Sequence, residues 1–301
     1  LGDVVEMLEG RPRAALDLAA PVLKEIGATM GHGREVVVVP GNHDHLLVRP
    51  WLRSRRAAGR SLGLATRVPV SSGDLLKRLG AMLAPARVQV RYPGVWVGER
   101  VWATHGHYLD RHLVRDRRLQ LTTPVPERGA SAWHYEDAAG ASLAALSNLL
   151  ASSLPEQLGE RIDRAAGLAR SATTAALPLA GALLTGALAP LSAQALGLQF
   201  RRRGLPAMAE VAHRLHVRAD HVIFGHLHRM GPRWEDDRAE WAPGDGRRVL
   251  HNAGCWVYEP LLLAGSRPPH PYWPGGAVLV EGDAPPKTLG LLDLADVALL
   301  R

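Results

Sequence analysis

Four short clusters in this chain place carboxylate, carboxamide and imidazole groups at the ends of apolar runs. Gly41-Asn42-His43-Asp44 follows Glu35-Val36-Val37-Val38-Val39-Pro40, a β-branched run bounded by turn signals. Gly2-Asp3-Val4-Val5-Glu6 opens the chain, Thr104-His105-Gly106-His107 follows Arg100-Val101-Trp102-Ala103, and Gly225-His226-Leu227-His228 follows His221-Val222-Ile223-Phe224. Any one of these reads as readily as a turn carrying a satisfied histidine. All of them at strand ends, where open α/β sheets form their ligand crevices, are hard to explain as turns. One divalent-cation site accounts for the whole set. Gly41 is expected to turn the backbone sharply and present the three side chains after it.

In this order the clusters resemble the calcineurin-like metallophosphoesterases, whose pattern runs Asp-x-His, Gly-Asp-x-x-Asp/Glu, Gly-Asn-His-Asp/Glu, a His-Gly or Gly-His element, then Gly-His-x-His. Four of the five blocks are present, and His251-Asn252-Ala253-Gly254-Cys255-Trp256 is similar to the Asn-x-Gly-x-Trp strand often found downstream. The resemblance implies a four-layer α/β/β/α sandwich and hydrolysis of a phosphate ester or pyrophosphate by water activated between two divalent ions. It makes Asp3 a bridging ligand, Asn42 a carbonyl-oxygen ligand, and His105, His226 and His228 imidazole ligands. Such a mixed set suits Mn, Fe, Zn or Ni better than Ca or Mg. His43 becomes the residue that stabilises the transition state or protonates the leaving oxygen. Asp44 is expected to accept a hydrogen bond from its other ring nitrogen and set its tautomer. His107 is then a neighbour of the ligands or faces substrate, and His45 reads as an exposed loop histidine ahead of a phosphate contact. The Asp-x-His block is absent, so an amino-terminal segment of a few tens of residues, with a central strand, is expected to precede Leu1.

The elements that must position these groups follow from hydrophobic period. Residues 13–28 have helical spacing, 36–39 form a strand, and 45–85 carry only weak helical and loop signals. Arg87–Tyr92 and Val95–Val97, joined by Pro93-Gly94, predict a hairpin feeding a strand at 100–104. Further strands are expected at 221–224, 248–250 and 276–281. The layout is an α/β metallophosphoesterase domain, residues 1–109 and 221–301, interrupted by a helical insertion or lid over 110–220. Residues 171–200 contain no charged side chain and are followed by Arg201-Arg202-Arg203. A single membrane crossing there would separate His105 from His226, so the stretch reads as a buried helical pair or as an apolar lid resting on anionic lipid.

With 301 residues and 47% apolar content, the chain can bury a large core. A lone cysteine, Cys255, excludes an internal disulfide framework and fits a reducing, cytoplasmic setting. A net charge of +7 favours anionic partners. Arg49, Arg53, Arg55, Arg56 and Arg60 follow the Asn-His-Asp block, and Arg111, Arg115, Arg117 and Arg118 follow the His-Gly-His block; each run reads as a solvated face or, from its place after proposed ligands, as part of a phosphate-attracting rim. The expected substrate is a phosphorylated small molecule or a lipid-linked phosphate, with peripheral contact to an anionic membrane. The insertion makes the layout most similar to the UDP-2,3-diacylglucosamine pyrophosphatase branch. Nucleic acid is the weaker partner, since aromatic residues are 5% of the chain and no basic-aromatic interleaving is visible. A non-catalytic phosphate-binding scaffold is the reading from another class.

Overall fold

Proline at the first turn and a left-handed glycine after the last bound the first helix, α1 (Pro12–Met30), in which Leu16, Leu23 and Gly27 are buried. A β-carbon on Gly27 would come 2.3 Å from the Leu83 carbonyl oxygen, so this glycine lets α1 pack closely on the end of α3 (Asp74–Met82), the helix after α2 (Arg49–Ala57). These elements belong to a computed structural model, which describes residues 1–8, 10–113, 125–139, 203–244, 246–258, 260–263 and 266–300. The fold is mixed α/β.

In the first sheet β1 (Glu35–Val38) runs parallel to β3 (Arg87–Tyr92), and β2 (Thr66–Val68) pairs with β3 antiparallel, in the order β1-β3-β2. The second sheet has the order β4-β5-β6-β7, from Gly94–Val97, Val101–Thr104, His221–Phe224 and Val249–Asn252. The hairpin expected between 87–92 and 95–97 does not form. Both edges of β3 are taken by β1 and β2, so the chain passes through Pro93 into the other sheet, where β4 pairs with β5. β2 was not visible in the sequence because three residues carry too little period to detect. β8 (Gly276–Leu279) pairs with β9 (Lys287–Gly290), the latter also unforeseen.

Strand alternation sorts the second sheet into two apolar faces. Trp102, Val222, Phe224 and Leu250 join Val38, Val68, Val90 and Tyr92 of the first sheet, with Leu16, Leu76 and Leu79, in one cluster. Val101, Ala103 and Ile223 point the other way, against Val278 and Val280. Burying both faces is what parallel neighbours such as β5, β6 and β7 require. Each large aliphatic side chain so buried contributes about 1.5–3 kcal/mol. Val125, Ala132 and Tyr135, and Leu205, Met208 and Val211 of the helical stretch 203–214, belong to the first cluster, so both described flanks of the 110–220 stretch pack on the domain core. Residues 171–200 lie outside the described residues, as do Arg115, Arg117, Arg118, Arg201 and Arg202. Among the described residues no helix is long and apolar enough to cross a membrane.

His221 and His251 meet between β6 and β7, with Nδ1 and Nε2 3.1 Å apart. Burial, then the neighbouring His221, lowers His251 from 6.5 to about 4, and burial also lowers His221. The unfolded chain therefore binds more protons as pH falls, so this stabilisation is complete above about 6.5 and is lost as pH drops toward about 4. Thermal melts across that range should show the loss in the wild type, and His251→Gln should flatten the slope by roughly 2–3 kcal/mol over the window.

Candidate metal centre

Topology brings the proposed ligands together. β5 and β6 are adjacent and parallel, with Trp102 opposite Val222 and Ala103 opposite Ile223, so their carboxyl ends deliver His105 and His226 side by side. The Gly225 N–H donates to the His105 carbonyl at 2.8 Å and fixes the two loops to each other. β1 delivers Asn42 from the other sheet. Gly2-Asp3 fills the space between: a β-carbon on Gly2 would lie 2.3 Å from His105 Nδ1, and one on Gly41 would lie 2.4 Å from Asp3 Oδ1. Gly41 has no left-handed backbone, so close approach rather than the expected sharp turn explains it.

Hydrogen bonds at the back of each ring decide what faces the centre. His105 Nδ1 lies 2.9 Å from the Leu1 carbonyl oxygen, which only accepts, so Nδ1 carries the proton and Nε2 presents a lone pair. His226 Nε2 lies 2.9 Å from Asp110 Oδ1, so its Nδ1 is likewise bare. Around His105 Nε2 stand Asn42 Oδ1 at 2.9 Å, Asp3 Oδ2 at 3.1 Å and His226 Nδ1 at 3.2 Å. Four lone pairs thus converge, and only a positive charge reconciles them. A divalent ion fits this set: Asp3, His105 and His226 offer ligand atoms all within 4.8 Å of one another, Asn42 adds a neutral oxygen, and Leu1 and Asp110 hold the rings from behind. Without an ion the charge is a proton. Burial opposes it, but Asp3, the Leu1 carbonyl and Asp44 together raise the His105 pKa; burial likewise opposes the charge on Asp3, and His105 with His43 and His226 holds that carboxyl well below the usual range.

Backbone strain gathers at the same place. Asp3, His226 and His228 have φ of 51°, 64° and 58°, in the left-handed region. Such conformations cost on the order of 1–3 kcal/mol each and persist where surrounding structure over-determines them. His228 is half-buried, and burial followed by His226 lowers it to about 4, yet it stands outside the Asp3-His105-His226 group. Among the described residues one point of convergence is assembled.

Two expected roles change. His43 Nδ1 is bonded to Glu6, not to Asp44. The Asp44 carboxylate is fully buried and accepts from the backbone N–H of Gly41 at 2.6 Å and Val4 at 2.9 Å, so its hydrogen-bonding capacity is already engaged in tying the amino-terminal strip to the β1 loop. Burial, then the charge of Asp3, pushes its pKa up. Burial alone would lower His43, but Glu6 raises it above the ordinary value. His45, expected as an exposed loop histidine, is instead held by Glu136 at 3.0 Å. His107 is buried, with ring centroids 5.5 Å from His105 and 6.5 Å from His226. Sequence reasoning missed Asp110 and Glu136, which lie inside the stretch assigned to the insertion; an acid three residues after His107 was the signal for the former, and nothing local marked the latter. Arg49, Arg53 and Arg60 are exposed on the chain leaving the site.

Comparison with protein-family models, curated proteins and solved structures finds no match to this chain. If Asp110 acts by orienting His226, Asp110→Asn should weaken Mn²⁺ or Zn²⁺ binding by about 10–100-fold while leaving the fold intact. Metal titration by calorimetry, with a melting curve as control, checks this.

Proposed function

We propose that this chain is a metal-dependent phosphoesterase of the calcineurin-like metallophosphoesterase type, acting on a phosphate ester or anhydride of a small or lipid-linked molecule. The observation that carries the reading is the convergence of Asp3, Asn42, His105 and His226 lone pairs in the chain order which that family pattern specifies, with Asn42, His105 and His226 following β1, β5 and β6. Two sheets sharing one apolar cluster, with α1 packed on β1 and α3, support the four-layer α/β/β/α arrangement. The reading holds one divalent ion on those four residues; a second would draw on Asp3 and His228.

A bound divalent ion would polarise phosphate oxygens and make water nucleophilic near neutral pH. The remaining work belongs to side chains. His43, whose charged form Glu6 favours and which is 12% exposed, offers its Nε2–H to a phosphoryl oxygen as negative charge builds there. His43 N–H donates to Asp3 Oδ1 at 2.9 Å, which locks the two residues in register. Asp44 acts at one remove by holding the backbone N–H of Gly41 and Val4.

One observation favours nucleic acid as a second substrate class. Arg55 lies 5.3 Å from the Trp51 ring and Arg56 4.9 Å from that of Trp133, a basic-aromatic surface assembled from segments distant in sequence.

Hydrolysis of a phosphomonoester, a nucleotide-sugar pyrophosphate, a phosphodiester and single-stranded DNA, with and without Mn²⁺ and with the organic products separated by chromatography, tests the proposal. Metal-dependent turnover of at least one is expected; none with any divalent ion defeats it. His43→Ala should cut turnover by about 10²–10⁴ with metal content retained, whereas His105→Ala should lose both. Equal metal loss in the two variants would contradict the role given to His43.

A further inference from the structure

A second histidine-carboxylate pair lies beside the ligand cluster. Glu136, on the helix Ala132–Ala139, has a side chain only 5% exposed, and three groups donate to it. Tyr92 Oη approaches Oε1 at 2.6 Å, Tyr108 Oη bonds the same oxygen, and His45 Nε2 lies 3.0 Å from Oε2. A buried carboxylate already held by two phenols accepts from His45 Nε2–H and fixes the ring, leaving Nδ1 to face outward. Glu6, the partner of His43, is 44% exposed and shares its charge with water. The His45 ring is 20% exposed, leaving it within reach of an incoming molecule.

His107 marks where that molecule sits. Tyr92 gives its proton to Glu136, so its oxygen is left to accept from His107 Nε2, 3.4 Å away, and His107 Nδ1 is then a bare acceptor. That nitrogen is buried and has no partner. A buried acceptor without a donor is unfavourable, and a hydroxyl that reached it would relieve that. His107 stands 5.5 Å from His105 on one side and 6.5 Å from His45 on the other, ring centre to ring centre.

We propose that His45 is the proton donor to the leaving oxygen and that Glu136 is its positioning residue, an inference that rests on the phosphoesterase reading. As water oxygen bonds to phosphorus, the P–O bond to the leaving group breaks with its electron pair on oxygen. His45 supplies the proton to that oxygen, the alcohol departs neutral, and His107 Nδ1 accepts its new O–H. His45 recovers a proton from solvent.

Leaving-group dependence separates this from a structural role. With Mn²⁺-loaded protein, His45→Gln should lower kcat on methyl phosphate by about 100-fold and on 4-nitrophenyl phosphate, whose phenolate needs no proton, by only about three-fold. Glu136→Gln should shift the same ratio in the same direction by about ten-fold. Equal losses on both esters, or no loss on methyl phosphate, overturn the proposal. Long-range ¹H–¹⁵N spectra give a readout independent of turnover: His45 Nε2 should be protonated in the wild type and change its tautomer balance in Glu136→Gln. An unchanged spectrum overturns the role of Glu136 even if the protein is active. A wild type with the expected spectrum but no activity on either ester defeats the donor role as stated, while the phosphoesterase reading falls only if the pyrophosphate, the phosphodiester and DNA are also left intact.

Discussion

Mutual repulsion of four lone pairs is the constraint on which the arrangement depends. The Leu1 carbonyl and the Asp110 carboxylate each take a ring proton from behind, and the two imidazoles are thereby forced to face Asp3 and Asn42 with bare nitrogens. In a protein interior such a set is costly unless a cation sits among it. The centre therefore calls for a positive charge, which a proton on His105 supplies and which a metal ion could supply in its place.

Several features act against the natural tendency of these loops to relax. Asp44 secures two strips of backbone that are 40 residues apart in sequence, using a carboxylate that burial alone would prefer neutral. Glycines at positions 2 and 41 permit approaches that any side chain would block. Left-handed backbone at Asp3 and His226 is sustained by the hydrogen bonds and packing around it. Strain gathered at a site is compatible with stability only because the shared core of both sheets holds the strand ends in place.

How much was legible can be judged from particular residues. α1 was readable because 19 residues supply several turns of period, and β5 and β6 because continuous apolar runs end at polar clusters. The ligand candidates Asn42, His105 and His226 were legible as residue types after strands, and Asp3 by its place in the Gly-Asp block. β2 was too short to leave a pattern, and the 87–97 hairpin misled because local turn chemistry says nothing about whether a strand's edge is already occupied. The partner of His43 was misassigned because proximity in sequence favoured Asp44, while backbone amides had the stronger claim on that carboxylate.

Glu136 shows the limit most plainly. It lies 91 residues from His45, in a segment with no motif, and becomes meaningful only when Tyr92, Tyr108 and His45 close around it. Sequence by itself determined the donor types and the strands that carry them, since both depend on local residue identity and period. Tertiary structure alone decided which nitrogen of each ring faces inward and which carboxylate serves which histidine. Tautomer and pairing are set by hydrogen bonds between segments far apart along the chain, and these exist only once the sheets have packed.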